Sequence, residues 1–160
     1  LYNVSMIPRI FVGVDPGTTT GLAVLRTTGD GYISAHDQIE GVDNAADWLR
    51  RHCEGQFVEL VFESFYIADR TLKAGSSGVH DALNLIGWIT LEIGEWIGCR
   101  LYPQSPSEGK TIKNDVLKAM SLYNPKMRHG TDAMRHIVRH HLNKLPDSPV
   151  SKAYLEAVKI

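Results

Sequence analysis

Apolar residues recur along this chain with a period near two in some segments and near 3.6 in others, and the changes of period mark out its elements. The run Ile10 to Val14 is short and rich in β-branched residues, and Pro16-Gly17 cannot continue a strand, because proline has no ladder donor and glycine favours turns. A second strand is expected over Gly21 to Thr28 and a third over Tyr32 to Glu40. Gly29-Asp30-Gly31 joins them tightly, which gives a three-strand antiparallel meander. Ala46, Trp48, Leu49 and His52 share helical spacing, predicting a helix from Asp43, its candidate N-cap, to Cys53. A fourth strand, Phe57 to Glu63, ends on a carboxylate. Ser64 to Gly78, with Gly75-Ser76-Ser77-Gly78, reads as an exposed, mobile loop.

A long apolar helix is expected over His80 to Ile97. Gly87 and Gly94 lie seven residues apart on one face of it, and each costs a helix about 1 kcal/mol, so close approach of another backbone is a reasonable compensation. A fifth strand over Arg100 to Gln104 leads into a Pro/Ser/Gly-rich loop through Gly109. Helices then follow over Ile112 to Leu122, Thr131 to Leu145 and Pro149 to Val158, the last with Ser148 as cap and proline at its first position. This order predicts one α/β domain over residues 1–160, a five-stranded mixed sheet flanked by helices, with 146–160 as a C-terminal extension helix.

Composition narrows the picture only modestly. At 160 residues, 43% hydrophobic and 22% charged, the chain is sized for one domain with a proper core. Leu1 to Arg9 carries no basic region followed by an apolar stretch, so no secretory leader is expected there; without an initiator Met, the true N-terminus is not fixed. The most apolar stretch, Leu83 to Cys99, is broken by Glu92 and Glu95 and reads as a buried helix, not a membrane span. Cys53 and Cys99 form neither a disulfide framework nor a zinc pattern, which suits a reducing cytoplasm. The net charge of −1 hides an asymmetry: residues 1–99 hold 6 Lys+Arg against 13 Asp+Glu, residues 100–160 hold 11 against 5. The second part supplies a phosphate-binding surface next to an acidic one, or merely a solvated face.

The candidate chemistry is acidic. Asp15 and Glu63 both end apolar strands, and if those strands are neighbours the two carboxylates meet. Like charges at contact are unfavourable without a cation between them, which points to a hard divalent metal on oxygen ligands. In Arg128-His129-Gly130-Thr131-Asp132, a helix starting at Gly130 or Thr131 places Asp132 in its first turn with His129 just ahead. An aspartate there either serves the helix dipole or, with His129, completes the metal site. His136 and His140, four residues apart, read as a surface pair, and His36, His52 and His80 carry no pattern.

Three motifs taken in order resemble the acidic motifs of RuvC-like Holliday junction resolvases: Val12-Gly13-Val14-Asp15-Pro16-Gly17 with Thr20-Gly21-Leu22-Ala23-Val24, then Val61-Phe62-Glu63, then His129 with Asp132-Ala133. The resemblance runs from about Ile10 to Leu142. It implies an RNase H-like fold and a homodimeric endonuclease hydrolysing phosphodiesters of branched DNA with two Mg²⁺ per site, Mn²⁺ substituting. The implied metal and catalytic set is Asp15, Glu63, His129 and Asp132. The implied DNA contacts are Tyr66, stacking on a base at the branch, and Lys110 and Lys113, reaching phosphates. The turn after Gly17 is one residue shorter than in the bacterial cellular enzymes, and the tail beyond His141 has no counterpart, which suggests a divergent, phage-type member acting in a bacterial or phage-infected cytoplasm. Two rivals remain open. The Asp-Pro-Gly-Thr-Thr-Thr stretch also resembles the first phosphate motif of actin-like ATPases and sugar kinases, which need two such domains, and a catalytically silent DNA-binding protein could keep the same fold.

Overall fold

The computed structural model describes residues 9–64 and 77–159. Strands β1 (Ile10–Asp15), β2 (Thr19–Thr28), β3 (Gly31–Glu40), β4 (Val58–Glu63) and β5 (Cys99–Gln104) form one sheet in the order β3-β2-β1-β4-β5. β1, β2 and β3 are the expected antiparallel meander, with Val14 opposite Leu22 and Leu22 opposite Asp37. β4 joins β1 in parallel, Val14 beside Phe62, and β5 joins β4 in parallel. The sheet is therefore mixed. The parallel registry sets Asp15 and Glu63 at the carboxyl ends of adjacent strands, which is the neighbour relation that the sequence left as a condition.

Strand alternation sends odd and even residues to opposite faces, and each face has its own core. On one, Val12, Val14, Leu60 and Phe62 pack with Leu49 of α1 (Val42–Cys53) and with Leu85 and Ile89 of α2 (Ser77–Leu91). On the other, Phe11, Ala23 and Leu25 pack with Met134 and Ile137 of α5 (Arg128–Lys144). Short helices α3 (Pro106–Lys110) and α4 (Asn114–Ala119) and the terminal α6 (Pro149–Ala157) complete this second layer, α6 contributing the fully buried Val150. Among the described residues, no helix is long and apolar enough to cross a membrane.

Several boundaries differ from expectation for identifiable reasons. The helix expected over His80 to Ile97 ends at Leu91 and gives way to a single 3-10 turn over Ile93–Glu95. Gly98, at φ +94, occupies a conformation that side chains resist, and it turns the chain into β5. Gly94 is thus off the helix and shares no helical face with Gly87. The segment through Gly109, expected as loop, holds α3: Pro106 takes its first turn, and the Ser105 backbone N–H donates to Glu108 Oε2 at 2.6 Å. The helix expected over Ile112 to Leu122 is confined to Asn114–Ala119, because Ser121 adopts a left-handed φ of 59. Gly41, not Asp43, is the N-cap of α1, with φ 84, while Asp43 sits in the first turn. The stretch expected as a mobile loop lies largely outside the described residues, as does Tyr66.

Candidate metal centre and nucleic-acid cleft

Helix α5 begins at Arg128, three residues earlier than the sequence suggested, because Thr131 does not cap it: the Thr131 N–H already donates to the Met127 carbonyl at 2.9 Å. The Thr131 hydroxyl instead donates to the Asn124 carbonyl at 3.0 Å and accepts from the Asn124 N–H, tying the incoming loop to the helix. His129 and Asp132 consequently both lie on α5, three residues apart and so on one helical face.

That face is pressed onto the tips of β1 and β2 by the absence of side chains. A Cβ on Gly21 would stand 1.9 Å from the His129 carbonyl oxygen, and one on Gly13 would stand 2.4 Å from that of Ala133. Backbone against backbone, the start of α5 is laid over the carboxyl end of β1. Asp15 shares the odd-numbered face of Phe11 and Gly13 and therefore points toward α5. Single ligand atoms of Asp15, His129 and Asp132 lie within 4.8 Å of one another, His129 Nδ1 standing 3.6 Å from Asp15 Oδ2. Glu63 lines the same cleft, but its Oε2 is engaged by His136 Nε2 at 3.2 Å.

Electrostatics bear the strain of this convergence. Burial first, then the charges of Glu63 and Asp132, push the Asp15 carboxyl up to about 7, a rise that His136 partly offsets. A divalent cation would relieve that crowding, and hard carboxylate oxygens plus one imidazole are a donor set suited to Mg²⁺ or Mn²⁺, so the residues present fit such an ion.

The cleft, about 560 Å³, has both acidic and basic lining. Asp15, Glu63 and Asp132 meet Lys110, Lys113, Arg128 and Arg135 across it. The sequence reading set Lys110 and Lys113 in a loop; Lys110 instead ends α3 and Lys113 is the N-cap of α4, and both line the cleft. Two residues that the sequence reading did not single out fix them there. Arg135 hydrogen-bonds the Ile112 carbonyl and Asn114 Oδ1 while its Nε donates to Asp132 Oδ1 at 3.0 Å. Arg139, one turn on, bonds the Glu108 carbonyl and the Thr111 hydroxyl.

The histidines expected as a surface pair are buried instead. His136 and His140 are each 2% exposed. They face not solvent but β4, which turns Glu59 and Glu63 toward α5 on either side of the apolar Val61: His140 Nε2 meets Glu59 Oε2 at 2.7 Å as His136 meets Glu63. Burial alone would raise the Glu59 carboxyl, but hydrogen bonds from His140 and Arg9, with the charges of both, hold it below its usual range. The legible signal was the matched spacing, two glutamates four apart on a strand and two histidines four apart on a helix.

The architecture is of the RNase H-like α/β class: an antiparallel meander extended by parallel strands, with a helix crossing the strand tips. A solved structure of T. thermophilus RuvC in complex with Holliday junction substrate shares this fold with a TM-score of 0.55 at 16% identity, the match covering 88% of this chain and 98% of that one. No family model matches the chain, and no curated protein matches it.

Proposed function

We propose that this chain is a metal-dependent, structure-selective endodeoxyribonuclease that resolves Holliday junctions or other branched DNA, a divergent RuvC-like enzyme of phage type. The observation that carries the reading is the meeting of Asp15, His129 and Asp132 beside a cleft that Asp15, Asp132 and Glu63 line together with basic side chains. The RuvC likeness supports it at the level of fold.

Asp15, Glu63, Asp132 and His129 would hold two Mg²⁺, with Mn²⁺ a good substitute because of the imidazole. When bound, such ions lower the pKa of the attacking water and neutralise the charge developing on the leaving 3′ oxygen. Lys110 and Lys113 hold the flanking phosphates, and the cut leaves a 5′ phosphate. His129, 44% exposed, also has the freedom to orient the water or leaving group. Tyr66, outside the described residues, is assigned to stacking on an unpaired base at the branch, worth roughly 1–3 kcal/mol. A symmetric dimer of this single nuclease domain, with α6 as its C-terminal extension, would set two such centres on opposite strands. Cys53 and Cys99, both free, suit work in a reducing cytoplasm.

The test is to incubate the protein with labelled four-way junctions, forks and plain duplex, in Mg²⁺, Mn²⁺ or chelator, beside an Asp15→Asn variant. Metal-dependent nicking of the branched substrates, abolished in the variant while DNA binding persists, is expected. Binding without cutting in any metal would overturn the nuclease assignment in favour of a silent DNA-binding protein, and nucleotide hydrolysis without DNA cutting would favour the kinase-like rival.

A further inference from the structure

Beneath the proposed metal centre, a buried histidine is fixed on every side. Gln104, at the end of β5, is 6% exposed, and its Nε2 donates to the His136 carbonyl at 3.1 Å. That bond sets the orientation of the amide, so Gln104 Oε1, 2.8 Å from His136 Nδ1, accepts the Nδ1–H. With Nδ1–H so committed, Nε2 can hold the carboxylate oxygen Glu63 Oε2, 3.2 Å away, only as a second donor, so the pair is an imidazolium against a carboxylate. The last turn of α3 closes over the ring: a Cβ on Gly109 would stand 3.0 Å from His136 Cε1. Neither rotation nor displacement of the imidazole is available without disturbing α3, β5 or Glu63. Among the described residues, the other oxygen of Glu63 makes no hydrogen bond, and Glu63 lines the cleft.

We infer that His136 is a positioning residue: held by Gln104 and Gly109, it grips one oxygen of Glu63 and presents the other to the cation site. This assignment rests on the reading of Glu63 as a metal ligand and adds to it the residue that orients that ligand. Hydrogen-bonded partners of ligating side chains fix ligand orientation, and losing one commonly lowers metal affinity about 10–100-fold. His136 also answers a problem of the site itself. A glutamate on a strand tip has three rotatable bonds, and a metal would otherwise have to order them.

The experiment measures Mn²⁺ binding to the full chain by electron paramagnetic resonance, without DNA, in wild type, His136→Leu, His136→Gln, Glu63→Gln and the double variant His136→Leu/Glu63→Gln. Thermal melts in chelator identify the variants that stay folded. Should His136→Leu fail to fold, His136→Gln and Gln104→Leu carry the test. His136→Leu is expected to weaken Mn²⁺ binding by about 10–100-fold. His136→Gln, which keeps a donor toward Glu63, recovers part of the loss. In the Glu63→Gln background the His136→Leu change should cost nothing further, because its effect passes through Glu63. For cutting, kcat should fall while affinity for a junction is kept. Unchanged Mn²⁺ affinity in every folded variant at these positions, or an equal loss in the Glu63→Gln background, overturns the positioning role while leaving the nuclease reading intact. A wild type that neither binds Mn²⁺ nor cuts overturns both.

Discussion

Asp15 makes its own ionisation costly in the folded chain. It keeps its proton up to about pH 7 when folded but releases it near 3.8 when unfolded, so between those values the folded state holds the extra proton. Stability is therefore lost as pH rises through that window, by on the order of a few kcal/mol in chelator. Asp15→Asn, which cannot ionise, should gain on wild type in urea denaturation as pH climbs from 4 to 8 and show little advantage at pH 4; a constant difference across that range would contradict the crowding. His141 behaves in the opposite sense. Fully buried, its Nδ1 2.9 Å from the Ser148 hydroxyl and its Nε2 without a partner among the described residues, it is pushed down to about 3 by burial first and then by His140. Unfolded, it takes up a proton near 6.5, so its share of stability is present above that value and fades as pH falls toward 3. His141→Phe should flatten the loss of stability between pH 7 and 4, measured by the same denaturation series. Sequence reading reached the carboxylates because a polar residue ending an apolar strand breaks the pattern. It misread His136 and His140 because a histidine on a helix says nothing about burial until the facing strand is known to offer a glutamate.

At the level of elements, α5 decides whether the centre exists. Its first turns touch β1 and β2 through glycines, so Gly21→Ala should force the helix, and His129 with it, away from β2 and cost roughly 1–3 kcal/mol or more by overpacking. The discriminating measurement is paired: chemical denaturation for the stability, and Mn²⁺ titration of the still-folded fraction for the displaced His129 and Asp132. A fold that absorbs the methyl with neither change would show that the contact is looser than 1.9 Å implies. Arg135 and Arg139 strap the α3–α4 connection to the same helix, and thereby aim Lys110 and Lys113. Replacing Lys113 by Ala should weaken junction binding with little effect on the melting temperature and reduce the slope of log K against log salt by about 1. All five strands could be read from short apolar or alternating runs bounded by turn residues. The α3–α4 region was misjudged because two opposed signals lie close together, a Ser105–Glu108 helix start and a Ser121 backbone inversion, and only the first is written in residue types.

For the molecule as a whole, the candidate dimer contact is α2, part of the glycine-marked stretch that would admit a second backbone. Gly94 has left the helix, but a Cβ on Gly87 would meet nothing within 4 Å among the described residues, so α2 is open at that point. Sedimentation equilibrium should find a dimer, and Gly87→Arg should shift it toward monomer and convert paired cuts across a junction into single nicks; a wild type that is monomeric yet cuts in pairs would remove α2 from the account. The two cores on opposite faces of the sheet have a further consequence, for heredity more than for catalysis. Every residue proposed to touch metal or phosphate lies on or near the α5 side, while the α1–α2 side holds Leu49, Leu60, Leu85 and Ile89 in an apolar layer. In a saturation library scored separately for cellular abundance and for cleavage, the two scores should coincide for substitutions on the α1–α2 side and part company under α5, so one protein would carry two different kinds of evolutionary constraint, back to back.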